Sequence, residues 1–194
     1  LAYYKFIPKN PIAIIIFYHG AGFYSSKLYQ YFAKQLLDLN IGCVLFDIRG
    51  HGNSEGKRGD APSEKEIFND ITIAVANFKK IYKDIPIYLG GHSSGAGLII
   101  NYNEKINNKE VRGYLFIAPY LGANADCLKK NINKENEFVK SINFFVLIGN
   151  ILTAGYFFKH DPFIFFNYSF MKDDLKIVNN YTLTMSNATS PKNA

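Results

Sequence analysis

Ser93 is the residue of this chain best placed to do chemistry. It is the centre of Gly91-His92-Ser93-Ser94-Gly95, directly after the apolar run Ile85-Pro86-Ile87-Tyr88-Leu89. A helix-compatible stretch, 96–102, follows. Strand, tight turn and helix, with G-x-S-x-G in the turn, lift one serine hydroxyl above a sheet edge as a nucleophile. The two glycines are needed because strand and helix backbones pass too close there for side chains. Alone the pentapeptide is weak evidence. With Gly and Ser each near ~7% of residues, a chain this long contains it by chance roughly once in fifteen cases. Its flanks are what make it informative.

An acyl-transfer serine needs an oxyanion hole, and a second segment can supply one. The β-branched run Ile12-Ala13-Ile14-Ile15-Ile16-Phe17-Tyr18 is the pattern of a strand buried on both faces of a parallel sheet. It ends in His19-Gly20-Ala21-Gly22, a small-residue loop that can offer the backbone N–H of Ala21. Ser94, the residue after the nucleophile, offers the other N–H. A third segment, Ile41-Gly42-Cys43-Val44-Leu45-Phe46, again reads as a buried strand. It runs into Asp47-Ile48-Arg49-Gly50-His51-Gly52-Asn53-Ser54-Glu55-Gly56. HGAG, then D-x-RGHG-x-S-x-G, then GHSSG, in this order and spacing, resembles the monoacylglycerol lipase and lysophospholipase group of α/β-hydrolases. That group is classed with the serine aminopeptidase-like hydrolases. The resemblance covers residues 3–122 well and the remainder loosely. It implies an α/β-hydrolase fold, a mostly parallel central sheet flanked by helices, with a helical cap over the site.

Three histidines of the front half read as structural. His19 is expected to order the oxyanion loop by hydrogen bonding. His51 and Arg49 are expected to brace the glycine-rich loop after the third run, with Asp47 as their partner. His92 precedes the serine in the elbow, so its ring is expected to point away from Ser93. The triad base is the gap. In α/β-hydrolases the order is serine, acid, histidine. After Ser93 the chain has one histidine, His160, next to Asp161. Adjacent residues do not readily form the orienting hydrogen bond of a triad. Asp126, Asp173 and Asp174 have no strand-to-loop context and no later histidine. The expectation is therefore that the triad acid and histidine are not in this sequence, and that the chain is a piece of a longer one. It also starts without methionine, inside what reads as a strand.

The elements that must position these residues alternate strand and helix, as in a parallel α/β sheet. Runs 12–18, 41–47, 86–90 and 111–118 are expected at the sheet centre. A helix is expected over 27–39, with Leu28, Tyr31, Phe32, Leu36 and Leu39 as its apolar stripe, ended by Asn40 and Gly42. Another follows Pro62, where Ser63 and Glu66 form a capping box. Its stripe is Ile67, Ile71, Val75, Phe78 and Tyr82. Residues 1–120 then form the hydrolase core and 121–194 the cap region, with the C-terminal core segment absent from the sequence. Residues 142–158 are nearly continuously apolar, and aromatics crowd 156–170. This stretch is expected to roof the site for an acyl chain. It is short and polar for a span of ~30 Å of hydrocarbon.

Composition excludes several classes. The 194 residues can bury one substantial core. The net charge of +6 comes from scattered lysines such as Lys79, Lys80, Lys129 and Lys130, with no basic-aromatic stripe for nucleic acid. No His/Cys/Asp cluster has metal-ligand spacing, and no glycine loop matches a dinucleotide or phosphate pattern. No cofactor or metal is expected. Cys43 and Cys127 make no disulfide framework, which points to a reducing, cytoplasmic compartment. The N-x-S/T matches at Asn167, Asn180 and Asn187 read as coincidental. The expected function is serine-dependent hydrolysis of a lipid ester, a monoacylglycerol or lysophospholipid, with peripheral membrane contact through the cap compatible with the charge. The alternatives are an aminopeptidase or small-ester hydrolase, and a non-catalytic binding protein of the same fold.

Overall fold

The computed structural model describes residues 1–122, 125, 138–168, 171 and 174–191. Five strands form the main sheet: β1 (Tyr3–Phe6), β2 (Ala13–Tyr18), β3 (Ile41–Phe46), β4 (Ile87–His92) and β5 (Val111–Ile117). Their spatial order is β1-β3-β2-β4-β5, with β1 antiparallel to β3 and the rest parallel. The β2 and β3 runs are buried along almost their whole length, which is why their sequences do not alternate. β5 departs from the expectation of a central strand. It lies at one side of the described sheet, and its residues alternate between half-buried and exposed, with Arg112, Tyr114 and Phe116 facing out.

Helices α1 (Lys27–Gln35), α2 (Glu64–Ile81) and α3 (Ser94–Ile106) connect these strands. Ser63 caps α2 by accepting the Glu66 N–H. Ile67, Ile71, Val75 and Phe78 are buried as its stripe requires. In α1 the expected stripe packs only in part, with Phe32 and Leu36 against the core. Tyr29 and Ala33 are buried, whereas Leu28 and Tyr31 are two-thirds exposed. The Tyr29 hydroxyl accepts the Gly20 N–H at 2.9 Å, a polar contact that holds this residue on the inner face. The helix tightens into a 3-10 turn at Leu36–Leu39, and Asn40 ends it in the left-handed conformation at φ 55°.

The segment after Tyr120 contains more strand than its sequence suggested. A second, antiparallel sheet is built from β6 (Val139–Ile142), β7 (Pro162–Phe166) and β8 (Asn180–Thr182). Helix α4 (Phe144–Leu152) lies between β6 and β7, and α5 (Leu183–Thr189) follows β8. Asn143 caps α4 through the Val146 N–H, and Thr182 caps α5 through the Met185 N–H. Among the described residues no helix is long and apolar enough to cross a membrane. Phe166, Tyr168, Ile177, Val178, Tyr181, Met185 and Ala188 are buried in the same apolar cluster as β2, β4, α2 and α3. The later segment therefore completes the main core as well as lying over the site. Cys43 is buried and free. Cys127, Asp126, Asp173, Lys129 and Lys130 lie outside the described residues.

Candidate active site

Ser93 sits between β4 and α3 with φ 52° and ψ −118°, a backbone conformation that a residue with a side chain rarely adopts. Such a conformation costs of order 1–3 kcal/mol and persists only where its surroundings enforce it. They do so through three hydrogen bonds. The Ser93 N–H donates to the Ile117 carbonyl at 3.0 Å, and the Ser93 carbonyl accepts from Gly97 and Tyr120 at 3.1 and 3.0 Å. Both flanking glycines are sterically required. A Cβ on Gly91 would lie 2.4 Å from the Gly95 carbonyl carbon. One on Gly95 would lie 2.4 Å from the carbonyl oxygens of Tyr18 and His19.

Ser93, Ser94 and Ala21 line one cavity of about 100 Å³. One of its walls is apolar, from Phe138, Val139, Ile164 and Phe166, and another carries the hydroxyl residues Ser186, Thr189 and Ser190. Phe157, expected in the roof, is 70% exposed and lies outside this wall. The arrangement offers a hydroxyl nucleophile, two backbone positions suited to an oxyanion, and a mostly apolar recess beside them.

The histidines take other places. His19 is buried; its Nε2 accepts the Ile48 N–H at 3.0 Å, so Nδ1 carries the proton and donates to the Gly20 carbonyl at 2.9 Å. His51 is buried too, its Nδ1 3.0 Å from the Arg49 carbonyl and its Nε2 2.9 Å from the Tyr181 hydroxyl. Burial pushes His19 down to about 4 and His51 well below the usual histidine range, with His19 adding to the effect on His51. Both rings are neutral at pH 7. His92 places Nδ1 2.8 Å from the Tyr29 hydroxyl, and its partial burial lowers its pKa. His160 pairs at 3.1 Å with Asp60, a buried carboxylate that also accepts the Thr182 hydroxyl at 2.7 Å. Its partner among the described residues is thus Asp60, before the serine in the chain, and not the adjacent Asp161. No histidine lines the Ser93 cavity.

The loop after β3 is braced differently from the expectation. Arg49 does not pair with Asp47. It makes a two-pronged ion pair with Asp70 on α2, at 2.9 and 2.7 Å. Asp47 is fully buried and accepts the backbone N–H groups of Ser25 and Asn53 at 2.6 and 2.8 Å. It therefore ties the loop before α1 to the one after β3. Asp70, Asp60, Tyr29, Tyr168 and Tyr181 carried no sequence signal. Their partners lie between 9 and 159 residues away along the chain. Among the described residues no group of His, Cys, Asp and Glu could hold a metal ion.

A parallel sheet with crossing helices and a strained serine between β4 and α3 defines the α/β-hydrolase class, and the comparisons narrow it. Residues 9–146 match the family model described as "Serine aminopeptidase, S33", and the chain belongs to that family. It is 32% identical over 118 residues to the monoglyceride lipase of Homo sapiens, covering 60% of this chain and 38% of that protein. It is 26% identical over 113 residues to the phospholipase YtpA of Bacillus subtilis, covering 58% and 42%. The chain thus spans well under half the length of these relatives. Among solved structures, the monoacylglycerol lipase of Paleococcus ferrophilus superposes with a TM-score of 0.69 over 97% of this chain and 69% of that one. At 20% identity this is a likeness of fold. A soluble variant of the monoglyceride lipase of Saccharomyces cerevisiae, in complex with a substrate analog, gives 0.55 at 26% identity, over 61% and 40%.

Proposed function

We propose that this chain carries the nucleophile and oxyanion hole of a serine hydrolase that cleaves lipid monoesters, a monoacylglycerol or a lysophospholipid. The observation that carries the reading is Ser93, held at φ 52° and opening with Ala21 and Ser94 onto one apolar cavity. Its Oγ attacks the ester carbonyl. The N–H groups of Ala21 and Ser94 take the charge of the tetrahedral intermediate, the alcohol leaves, and water releases the acyl group. A general base must take the Ser93 proton and return it to the leaving alcohol, and none of the four histidines of the chain lines the cavity to do so. The relatives named as monoglyceride lipases and phospholipase support the lipid substrate, and so does the apolar wall of the cavity.

The residues 121–194 act as the cap. Their helix α4 exposes Phe144, Phe145, Ile148, Ile151 and Leu152, and the exposed Lys140 and Lys159 flank it. This suits peripheral docking on a lipid surface, from which such substrates are drawn. An aminopeptidase reading would need an acidic residue on the cavity wall to pair a substrate amine, and among the described residues none lines it.

The substrate reading is tested by kcat/KM of the full-length enzyme on monoesters from C2 to C16. Each methylene buried against Ile164 and Phe166 is worth about 0.8 kcal/mol. The specificity constant should climb with chain length until the recess fills, and Phe166→Ala should move that optimum. A preference for C2 and C4 esters, unmoved by Phe166→Ala or Ile164→Ala, would replace the lipid with a small ester.

A further inference from the structure

The Ala21 N–H belongs to a loop whose peptide groups are pinned on every side, partly by residues more than a hundred positions away. The peptide unit that carries this N–H has Gly20 as its carbonyl. That oxygen accepts from the Phe23 N–H at 3.1 Å and from His19 Nδ1–H at 2.9 Å. In the preceding unit the Gly20 N–H donates to the Tyr29 hydroxyl at 2.9 Å. In the following unit both ends are taken by tyrosines. The Tyr168 hydroxyl donates to the Ala21 carbonyl, and the Gly22 N–H donates to the Tyr181 hydroxyl at 2.9 Å. The next carbonyl, of Gly22, accepts the Val178 N–H at 2.8 Å.

The two flanking tyrosines repeat one device. Each accepts a loop N–H and pairs with an imidazole nitrogen: Tyr29 with His92 Nδ1 at 2.8 Å, Tyr181 with His51 Nε2 at 2.9 Å. For His51 the direction is fixed, because the Arg49 carbonyl beside Nδ1 can only accept and so places the proton on Nδ1. Tyr168 and Tyr181 are buried, at 4% and 2% exposure, and each phenol has only two torsions. Tyr168 also packs its ring on Gly22, which has φ +66°. A Cβ there would lie 2.7 Å from the ring and 2.3 Å from the Val178 carbonyl oxygen.

We infer that Tyr168 and Tyr181 are positioning residues of the oxyanion hole, so that the segment roofing the cavity also sets the direction of the Ala21 N–H. The inference rests on the reading of Ser93 as nucleophile. Hydrogen bonds to a developing oxyanion act only at close, preorganised distances, and small misplacements of catalytic geometry are costly. A loop released at the 21–22 peptide would lose that preorganisation, and because Tyr181 lines the recess while Tyr168 does not, Tyr168→Phe leaves the recess wall intact.

The test compares Tyr168→Phe, Tyr181→Phe and wild type in the full-length enzyme. These changes remove one hydroxyl and keep the shape. The measurements are kcat and KM on a monoacyl ester, and Ki for a trifluoromethyl ketone, whose serine adduct places an oxyanion in the hole. Losing a donor outright costs about 10²- to 10³-fold in kcat, so loosening one should cost roughly ten- to a hundredfold. Ki should rise by a similar factor while KM stays constant. Wild-type kcat and Ki in both variants, a change in KM alone, or a fall in kcat without a rise in Ki would each overturn the inference. Should Tyr181→Phe fail to fold, Tyr168→Phe decides alone. Ser93→Ala separates the two claims. Turnover that survives it refutes the nucleophile and the positioning together; turnover abolished by it, with both Phe variants unchanged, refutes the positioning only.

Discussion

Among the described residues neither a histidine nor an acid lines the Ser93 cavity, and the four histidines of the chain serve other contacts. His19 and His51 spend their ring nitrogens on loop backbone and on Tyr181, which requires them to be neutral. This has a consequence for stability. Burial holds their folded pKa values below the ordinary ~6.5. Below that value the unfolded chain binds protons that the folded chain refuses, so stability falls with pH. The contribution is fully present above about 6.5 and is lost as pH drops toward the folded His19 value of about 4. The urea midpoint should therefore fall between pH 7 and 4, and His51→Gln, which can keep both hydrogen bonds, should flatten that fall. A midpoint whose pH slope is the same in the variant would show that the neutral His51 is not a source of it.

The residues that sequence could reach at this scale are those whose chemistry is local. Ser93, Ser94 and their glycines are adjacent in the chain, and Ala21 follows its strand directly. The structure brings Ser93, Ser94 and Ala21 to one cavity. What could not be read is everything closed by long-range contact. Nothing near Arg49 marks Asp70 rather than Asp47 as its partner, and nothing in the stretch around Tyr181 marks a hydroxyl that reaches Gly22.

At the scale of elements, periodicity served where one face is buried against one layer. The continuous runs of β2 and β3 and the 3.6-residue stripe of α2 translate directly into burial. It failed where polar anchoring outranks apolar spacing. In α1 Tyr29 is buried while Leu28 stays in solvent, as does Leu39 in the 3-10 turn that follows. It failed again in β6, β7 and β8, strands of three to five residues, too short for an alternation to stand out among so many aromatics. Helix α4 is the reverse case: its composition says core, yet only Val146 is buried. The proposed docking on a lipid surface would resolve that conflict. Burying one leucine or isoleucine side chain is worth about 1.5–3 kcal/mol, so Ile151→Asp with Leu152→Asp should weaken vesicle binding by well over about tenfold. Both side chains are exposed, so turnover of a dissolved short-chain ester should stay near wild type. Sedimentation with vesicles containing about 20% anionic lipid reads the effect, on a bilayer thick enough for interfacial insertion. Undiminished binding would remove α4 from the membrane contact.

Among the described residues the larger of two apolar clusters is shared by the five-stranded sheet and the segment that follows it, while a second cluster joins β2 and β3 to α1. That sharing is what places Tyr168, Tyr181 and the apolar wall of Ile164 and Phe166 next to the β2 loop and the β4–α3 turn. It also makes the site depend on the segment after Tyr120 being seated, rather than on the sheet alone. The chain belongs to the serine aminopeptidase family by residues 9–146, and the central claim is that Ser93 is its nucleophile. The most direct measurement is reaction of the full-length protein with a fluorophosphonate probe, followed by peptide mapping of the adduct in wild type and Ser93→Ala. One adduct, on Ser93, absent from the variant, is the predicted result. Labelling at full strength in Ser93→Ala, or no labelling of a folded wild type, would contradict it.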